Sequence, residues 1–340
     1  MLKHLSLFVT SLVFAISAPL ALAQRTPLLV YTALETDQLK GFKDLIEAAI
    51  KDVDVRWVRD STGIITAKLL AEKANPQADI VLGLAATSLL VLEQEGMLQP
   101  YAPRGVEKLN PRFVDTKKPP MWVGMDVWSA TICFNTVEAK KRNLPKPETW
   151  KDLLKPVYRG QITMPHPASS GTGFLDVTAW LQLYGEAEGW KYMDALHENI
   201  AQYVHSGSKP CRQAGAGEFV MGISFEYRAN ATKASGAPID LVIPKEGVGW
   251  DMEASAIMKT TKKLELARKV MDWSVTGEAN ELYAKSYAIV AMPGVAKPLP
   301  NLPADYEKML VKNDFAWAAK NRDRILAEWN KRYNAKAEPK

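Results

Sequence analysis

The sequence predicts an α/β protein of two lobes joined by two crossing strands, and three observations carry that expectation. Apolar runs of strand length alternate with stretches of helical spacing along most of the chain, the rhythm of a parallel sheet with helices on both faces. Two further apolar runs, Trp122 to Asn135 and Met252 to Met258, are placed to pass between lobes. The first is too long for an ordinary strand, which averages about 5–6 residues. The chain of 340 residues also exceeds the usual size of one domain, even without the leader described below.

The elements follow in order. Leu28 to Tyr31 reads as a buried strand and Asp37 to Ile50 as an amphipathic helix. Val53 to Arg59 alternates apolar and polar residues, the pattern of a half-buried strand. Thr62 to Lys73 has helical spacing, with Ile65, Leu69 and Leu70 on one face. Ala78 to Leu84 is a continuous apolar strand, and Thr87 to Gln94 a helix. After the first crossing, the alternation restarts with a strand at Ile162 to Met164 and helices at Thr172 to Leu183 and Trp190 to His197. A strand at Tyr203 and a helix after Pro210 come next, then strands at Val220 to Tyr227 and Asp240 to Ile243. After the return crossing, helices at Leu264 to Trp273 and Asn280 to Tyr287 are expected to pack on the first lobe, followed by a helical tail from Tyr306 to Tyr333. The expected lobes are therefore residues 24–127 with 252–340, and residues 128–251.

The N-terminus carries an export signal. Lys3 and His4 precede an almost wholly apolar run from Leu5 to Leu20, and Ala21-Leu22-Ala23 supplies a small-x-small cleavage pattern. The run is shorter than the roughly 20 residues that span a bilayer, so residues 1–23 read as a signal peptide cut after Ala23 rather than an anchor. The expected location is the periplasm. A formal net charge of +5, evenly spread, does not argue for nucleic acid. The chain is read as a monomer with no cofactor or metal. Cys133 and Cys211 have no zinc-ligand spacing; in an oxidising compartment they read as a disulfide, with two buried thiols as the alternative.

In open α/β sheets, ligands sit beyond the carboxyl ends of the strands, where helices begin. Two such places offer small hydroxyls, glycines and backbone N–H groups: Ser61-Thr62-Gly63, and Ser169-Ser170-Gly171-Thr172. Either suits an anion, although either alone reads first as an ordinary N-cap. One falls in each expected lobe, so the pair could close on one anionic group. Ser206, in the turn before Pro210, is a third candidate. Glu35, Asp126 and Glu226, with the aromatic Trp128 and Tyr227, lie at strand ends or on the crossing, where carboxylates beside ring faces suit an ammonium ion. No Gly-x-Ser-x-Gly elbow and no His-Glu-x-x-His helix occurs, although His166 and His205 lie near the serine loops. The sequence therefore points to binding rather than catalysis.

Several segments together resemble the 2-aminoethylphosphonate-binding proteins of ABC transporters. They are Val30-Tyr31-Thr32-Ala33-Leu34-Glu35, Trp57-Val58-Arg59-Asp60-Ser61-Thr62-Gly63, Val123-Gly124-Met125-Asp126-Val127-Trp128, Pro167-Ala168-Ser169-Ser170-Gly171-Thr172-Gly173, His205-Ser206-Gly207-Ser208-Lys209-Pro210-Cys211 and Gly222-Ile223-Ser224-Phe225-Glu226-Tyr227-Arg228. The resemblance runs from about Leu28 to Pro293. It implies a type II periplasmic binding protein fold, related to the ferric-ion-binding proteins, with a permease in the inner membrane as partner. Where the iron binders carry a histidine and a Tyr-Tyr pair, this chain has Glu35 and Glu226-Tyr227, which suits an amine better than iron. The implied pose seats the phosphonate on Ser61-Thr62-Gly63 and Ser169-Ser170-Gly171-Thr172, and points the ammonium at Glu35 or Glu226, with Tyr227, Trp128 or Asp126 alongside. Thr32 and Ser206 complete the ligand-binding set. The alternatives are a binder of iron or of a phosphate ester, or a secreted hydrolase of phosphonates or phosphate esters.

Overall fold

The computed structural model describes residues 25–339. The expected signal peptide lies outside the described residues. The first lobe opens with β1 (Thr26–Thr32), β2 (Val53–Arg59), β3 (Ile80–Ala85) and the short β4 (Leu98–Gln99). β5 (Val123–Asn135) then leads into β6 (Ile162–Pro165), β7 (Ile200–Val204), β8 (Met221–Phe225) and β9 (Ile239–Val242) of the second lobe. The chain returns through β10 (Trp250–Met258) and β11 (Ile289–Val290).

The strand order β2-β1-β3-β10-β5-β8-β6-β7 makes β5 the shared member of both halves. Its first part, Val123 to Ser129, pairs with β10, and its second part, Ala130 to Asn135, pairs with β8 and β9. All 13 residues of β5 are buried, which accounts for its unbroken apolar character. The sheets are mixed rather than wholly parallel. β1 is parallel to β2 and β3, and β6 to β7 and β8, but β5 and β10 run against their neighbours. The return passes through residues 243–249 into β10, whose partners β3, β4 and the first part of β5 all belong to the first lobe.

Burial follows the sequence pattern. Leu28, Val30, Val55, Ile80 and Ile257 form one core with Phe42 and Ile46 of the helix Leu39–Ala49, and Phe42 stacks on Tyr283 with ring centroids 5.6 Å apart. The second core is built on aromatics, with Trp150 edge-on to Trp180 at 5.3 Å. One assignment needs correcting. The helix Arg322–Tyr333, expected with the first lobe, buries Ile325, Leu326, Trp329 and Tyr333 in the second core, and Trp329 meets Tyr203 at 4.7 Å. Its polar outer face hid that preference from the sequence. Cys133 of β5 and Cys211 of the helix Lys209–Ala216 are joined as a disulfide with Cα atoms 5.3 Å apart.

Candidate functional site

Register decides what emerges where. β1 and β2 are paired from Thr26 opposite Val53 to Thr32 opposite Arg59, so Glu35 and Ser61 leave the same edge of the first sheet. In the second lobe, Pro165 of β6 lies opposite Val204 of β7, which brings the loops after both strands to one edge. The carboxyl ends of both sheets open on the gap between the lobes, the position at which α/β sheets bind ligands.

Two helix starts meet across that gap. The helix Thr62–Ala71 begins after Ser61, whose side chain makes no capping bond and is left for other use. The helix Gly171–Tyr184 begins after Ser170, whose hydroxyl accepts from the Gly173 N–H at 3.4 Å. The Gly63 N–H donates to the Ser169 carbonyl at 3.0 Å, a backbone bond from one lobe to the other. A Cβ on Gly63 would stand 2.2 Å from the Ala168 oxygen, and one on Gly171 would stand 2.7 Å from the Thr62 hydroxyl. Only glycine permits this approach. The two positive dipole ends thus point at a common space. The cavity there measures about 40 Å³, room for roughly three waters. Its walls include Arg59, Ser61, Thr62, Ser170, Gly171 and Thr172 toward the helix starts, and Glu35, Trp128, Phe225 and Glu253 elsewhere.

The carboxylates divide into two groups. Glu35 is surrounded by guanidinium groups: Arg228 Nη2 donates to it at 2.7 Å, Arg59 Nη2 at 3.3 Å, and Arg212 Nη2 lies 3.6 Å away. Arg228 also donates to Asp37 at 3.1 Å. Arg212 and Arg228 belong to the second lobe and the carboxylates to the first, so these pairs fasten the gap shut. The other group lies beneath the cavity. Glu253 of β10 stands opposite Asp126 of β5, and Glu226 lies close enough to both to act on their charge. Glu253 accepts from the Tyr287 hydroxyl at 3.2 Å, and Glu226 accepts from the Ser129 N–H at 2.7 Å. Asp126 has no hydrogen-bond partner on either oxygen, and Glu253 and Glu226 have one unpartnered oxygen each. Burial pushes the Glu226 carboxyl up to about 8 and holds Asp126 and Glu253 well above the ordinary carboxylate range. Asp251 is raised to about 7 by burial, against donors from Thr87, Ala86 and Met252.

The expected residues are thus brought together in part. Glu35, Ser61, Thr62, Trp128, Ser170, Gly171 and Thr172 line the cavity. Gly63 and Ser169 hold the lobes to each other rather than facing the space. Thr32 accepts from the Leu34 N–H at 3.0 Å and Ser206 from the Ser208 N–H at 3.2 Å, so both shape turns. Glu226 and Tyr227 do not end a strand. β8 stops at Phe225 and they open the helix Glu226–Ala234, with Glu226 and Asp126 fully buried and Tyr227 packed on Tyr287 at 5.5 Å. His166 packs on Trp329 in a T-shaped contact with ring centroids 4.4 Å apart, and His205 turns toward the Pro339 carbonyl. Arg59 and Glu253 were not among the sequence candidates. Arg59 stood inside a quoted motif, and a lone glutamate in the apolar Met252–Met258 run was the available signal for Glu253.

Comparisons with known proteins agree with this architecture. A family model described as bacterial extracellular solute-binding protein matches residues 75–318. A probable ABC transporter periplasmic-binding protein, y4fP, of Sinorhizobium fredii is 26% identical over 263 residues, covering 74% of this chain and 70% of that protein. The periplasmic binding protein AfuA from Actinobacillus pleuropneumoniae, solved with exogenous fructose-6-phosphate bound, superposes with a TM-score of 0.84 at 28% identity, covering 91% of this chain and 98% of that one. Iron-bound HitA from Pseudomonas aeruginosa, at 17% identity and a TM-score of 0.74 over 89% of this chain and 98% of that one, shares the fold.

Proposed function

The chain belongs to the bacterial extracellular solute-binding proteins, and from that premise we propose that it captures 2-aminoethylphosphonate in the periplasm and delivers it to the permease of an ABC importer. The observation that carries the reading is the meeting of two helix starts across one small cavity. A phosphonate has three oxygens to be satisfied, and the Thr62 and Gly171 helix starts offer N–H groups and the hydroxyls of Ser61, Thr62, Ser170 and Thr172 from opposite sides. Arg59, at the end of β2, adds a fixed positive charge on the cavity wall.

Closure is the signal. The ligand draws both lobes onto itself, Arg228 seats on Glu35 and Asp37, and the permease reads the joined surface. A second reading, a sugar phosphate, draws support from the likeness to AfuA. It uses the same anion cradle and differs in what meets the rest of the solute. Titration calorimetry with 2-aminoethylphosphonate, inorganic phosphate, fructose 6-phosphate and ferric citrate separates these readings. We expect tight binding of the aminophosphonate and a far weaker response to the sugar phosphate. Heat from ferric citrate alone would remove the phosphonate reading, and preferential binding of fructose 6-phosphate would replace it.

A further inference from the structure

The phosphonate reading leaves open what receives the other end of the solute. Glu35, the natural choice from the sequence, already faces three guanidinium groups. Glu226 is fully buried and absent from the cavity wall. Glu253 differs from both. It lines the cavity, is only 8% exposed, and has one oxygen held by Tyr287 and one without a partner. Directly across the β5–β10 ladder lies Asp126, completely buried, with both oxygens unpartnered. Trp128 and Phe225 line the same cavity, with ring centroids 6.0 Å apart. A buried carboxyl on a cavity wall shared with two aromatic residues is a seat for a small cation.

We propose that Glu253, backed by Asp126, receives the ammonium of the solute, and that this seat is uncharged until the cation enters and expels its proton. The inference rests on the aminophosphonate reading and deepens it. The step is a simple exchange. The O–H bond of the neutral Glu253 carboxyl breaks, the electron pair stays on the carboxylate, the proton leaves to solvent, and the ammonium takes its place. The groups facing Glu253 set this poise. Glu35 after β1 opposes its ionisation, the Tyr287 hydroxyl and Arg59 from β2 favour it, and Glu253 and Glu226 both weigh against ionisation of Asp126 on β5. Burial opposes ionisation most strongly of all, so the free carboxyl is neutral near pH 7 and discharges when a compensating charge arrives. A solute with the same phosphonate but no amine forgoes this exchange. The seat therefore selects the amine as well as holding it.

The experiment uses the intact mature protein, 2-aminoethylphosphonate and ethylphosphonate. Infrared difference spectra on the wild type are expected to lose a protonated-carboxyl band when 2-aminoethylphosphonate is added and to keep it with ethylphosphonate. Calorimetry in buffers of different ionisation heat is expected to show about one more proton released by the wild type than by Glu253→Gln on binding 2-aminoethylphosphonate. Glu253→Gln is expected to weaken that ligand by at least about tenfold while leaving ethylphosphonate within about threefold. Persistence of the carboxyl band at saturating 2-aminoethylphosphonate overturns the proposal, as does an unchanged preference between the two ligands in the variant. If the wild type binds ethylphosphonate but gains nothing from the amine, the anion cradle stands and the ammonium seat falls. Binding of neither phosphonate removes the substrate reading and the seat with it.

Discussion

Replacing Gly63 by alanine tests the closed site at its tightest point. The added Cβ would stand 2.2 Å from the Ala168 oxygen and 2.8 Å from the Ala168 and Ser169 carbonyl carbons, all of them backbone atoms that no rotamer change can clear. An acceptable carbon–oxygen contact needs roughly 3.3 Å, so the two helix starts must part by about 1 Å. That displacement stretches the Gly63 N–H to Ser169 bond from 3.0 Å beyond bonding range. Losing that bond removes about 1 kcal/mol from the closed form, and loosening one side of the anion cradle removes about 1–3 kcal/mol more. The affinity for 2-aminoethylphosphonate is then expected to fall by roughly 30- to 1,000-fold. The first lobe has no reason to suffer, because alanine is the better helix former by up to about 1 kcal/mol. Calorimetry supplies the affinity, and far-ultraviolet circular dichroism with thermal melting shows that the fold is kept. Small-angle scattering is expected to show the liganded variant more open than the liganded wild type. An affinity within about threefold of the wild type, in a folded variant, would refute the idea that the solute is held where these two helices meet.

Three other outcomes follow from the same structure. Arg228→Ala removes a second-lobe partner of Glu35 and Asp37 and is expected to cost the closed form about 1–3 kcal/mol, seen as a larger radius of gyration with solute present and roughly 5- to 150-fold weaker binding; an unchanged scattering profile of the liganded variant counts against the latch. Reduction of Cys133–Cys211, or its replacement by two serines, releases a cross-link between residues 78 apart and is expected to lower unfolding free energy by about 2–4 kcal/mol in urea titrations. Glu226 supplies a pH test. Its carboxyl is raised in the fold from 4.5 to about 8, so the folded chain binds the extra proton. Its stabilising contribution is full below pH about 4.5 and is lost as pH rises to about 8, at up to about 1.4 kcal/mol per pH unit. Glu226→Gln should therefore gain on the wild type across that window in urea titrations at pH 5, 7 and 9, and parallel curves would contradict it.

Much of the fold was legible because burial is periodic. Val53–Arg59 ends at the residues the alternation indicated, and the long crossing strand ends at Asn135 as its apolar character required. Helices without a strong apolar face were not. Glu226–Ala234 buries only Glu226, Arg228 and Ala229, so its start was read as the end of the preceding strand. Thr136–Arg142 buries only Ala139, although the Asn135 side chain, accepting from the Val137 and Glu138 N–H groups, was a cap signal in plain view. At the site, local motifs revealed the anion cradle because each helix start is a contiguous segment. The carboxylates were harder, because their state depends on distant partners. Glu35 is paired with Arg228 some 193 residues away, and Glu253 owes its character first to burial and then to Tyr287, Glu35 and Arg59, none of them its sequence neighbours.

β5 belongs to both sheets at once, and its backbone is hydrogen-bonded on two flanks along most of its length. A strand so committed does not melt for one lobe and survive for the other, so calorimetric heating is expected to give a single endotherm instead of two separable peaks. Movement between the lobes is expected to be a rotation about this common rail, with its direction set before any solute arrives.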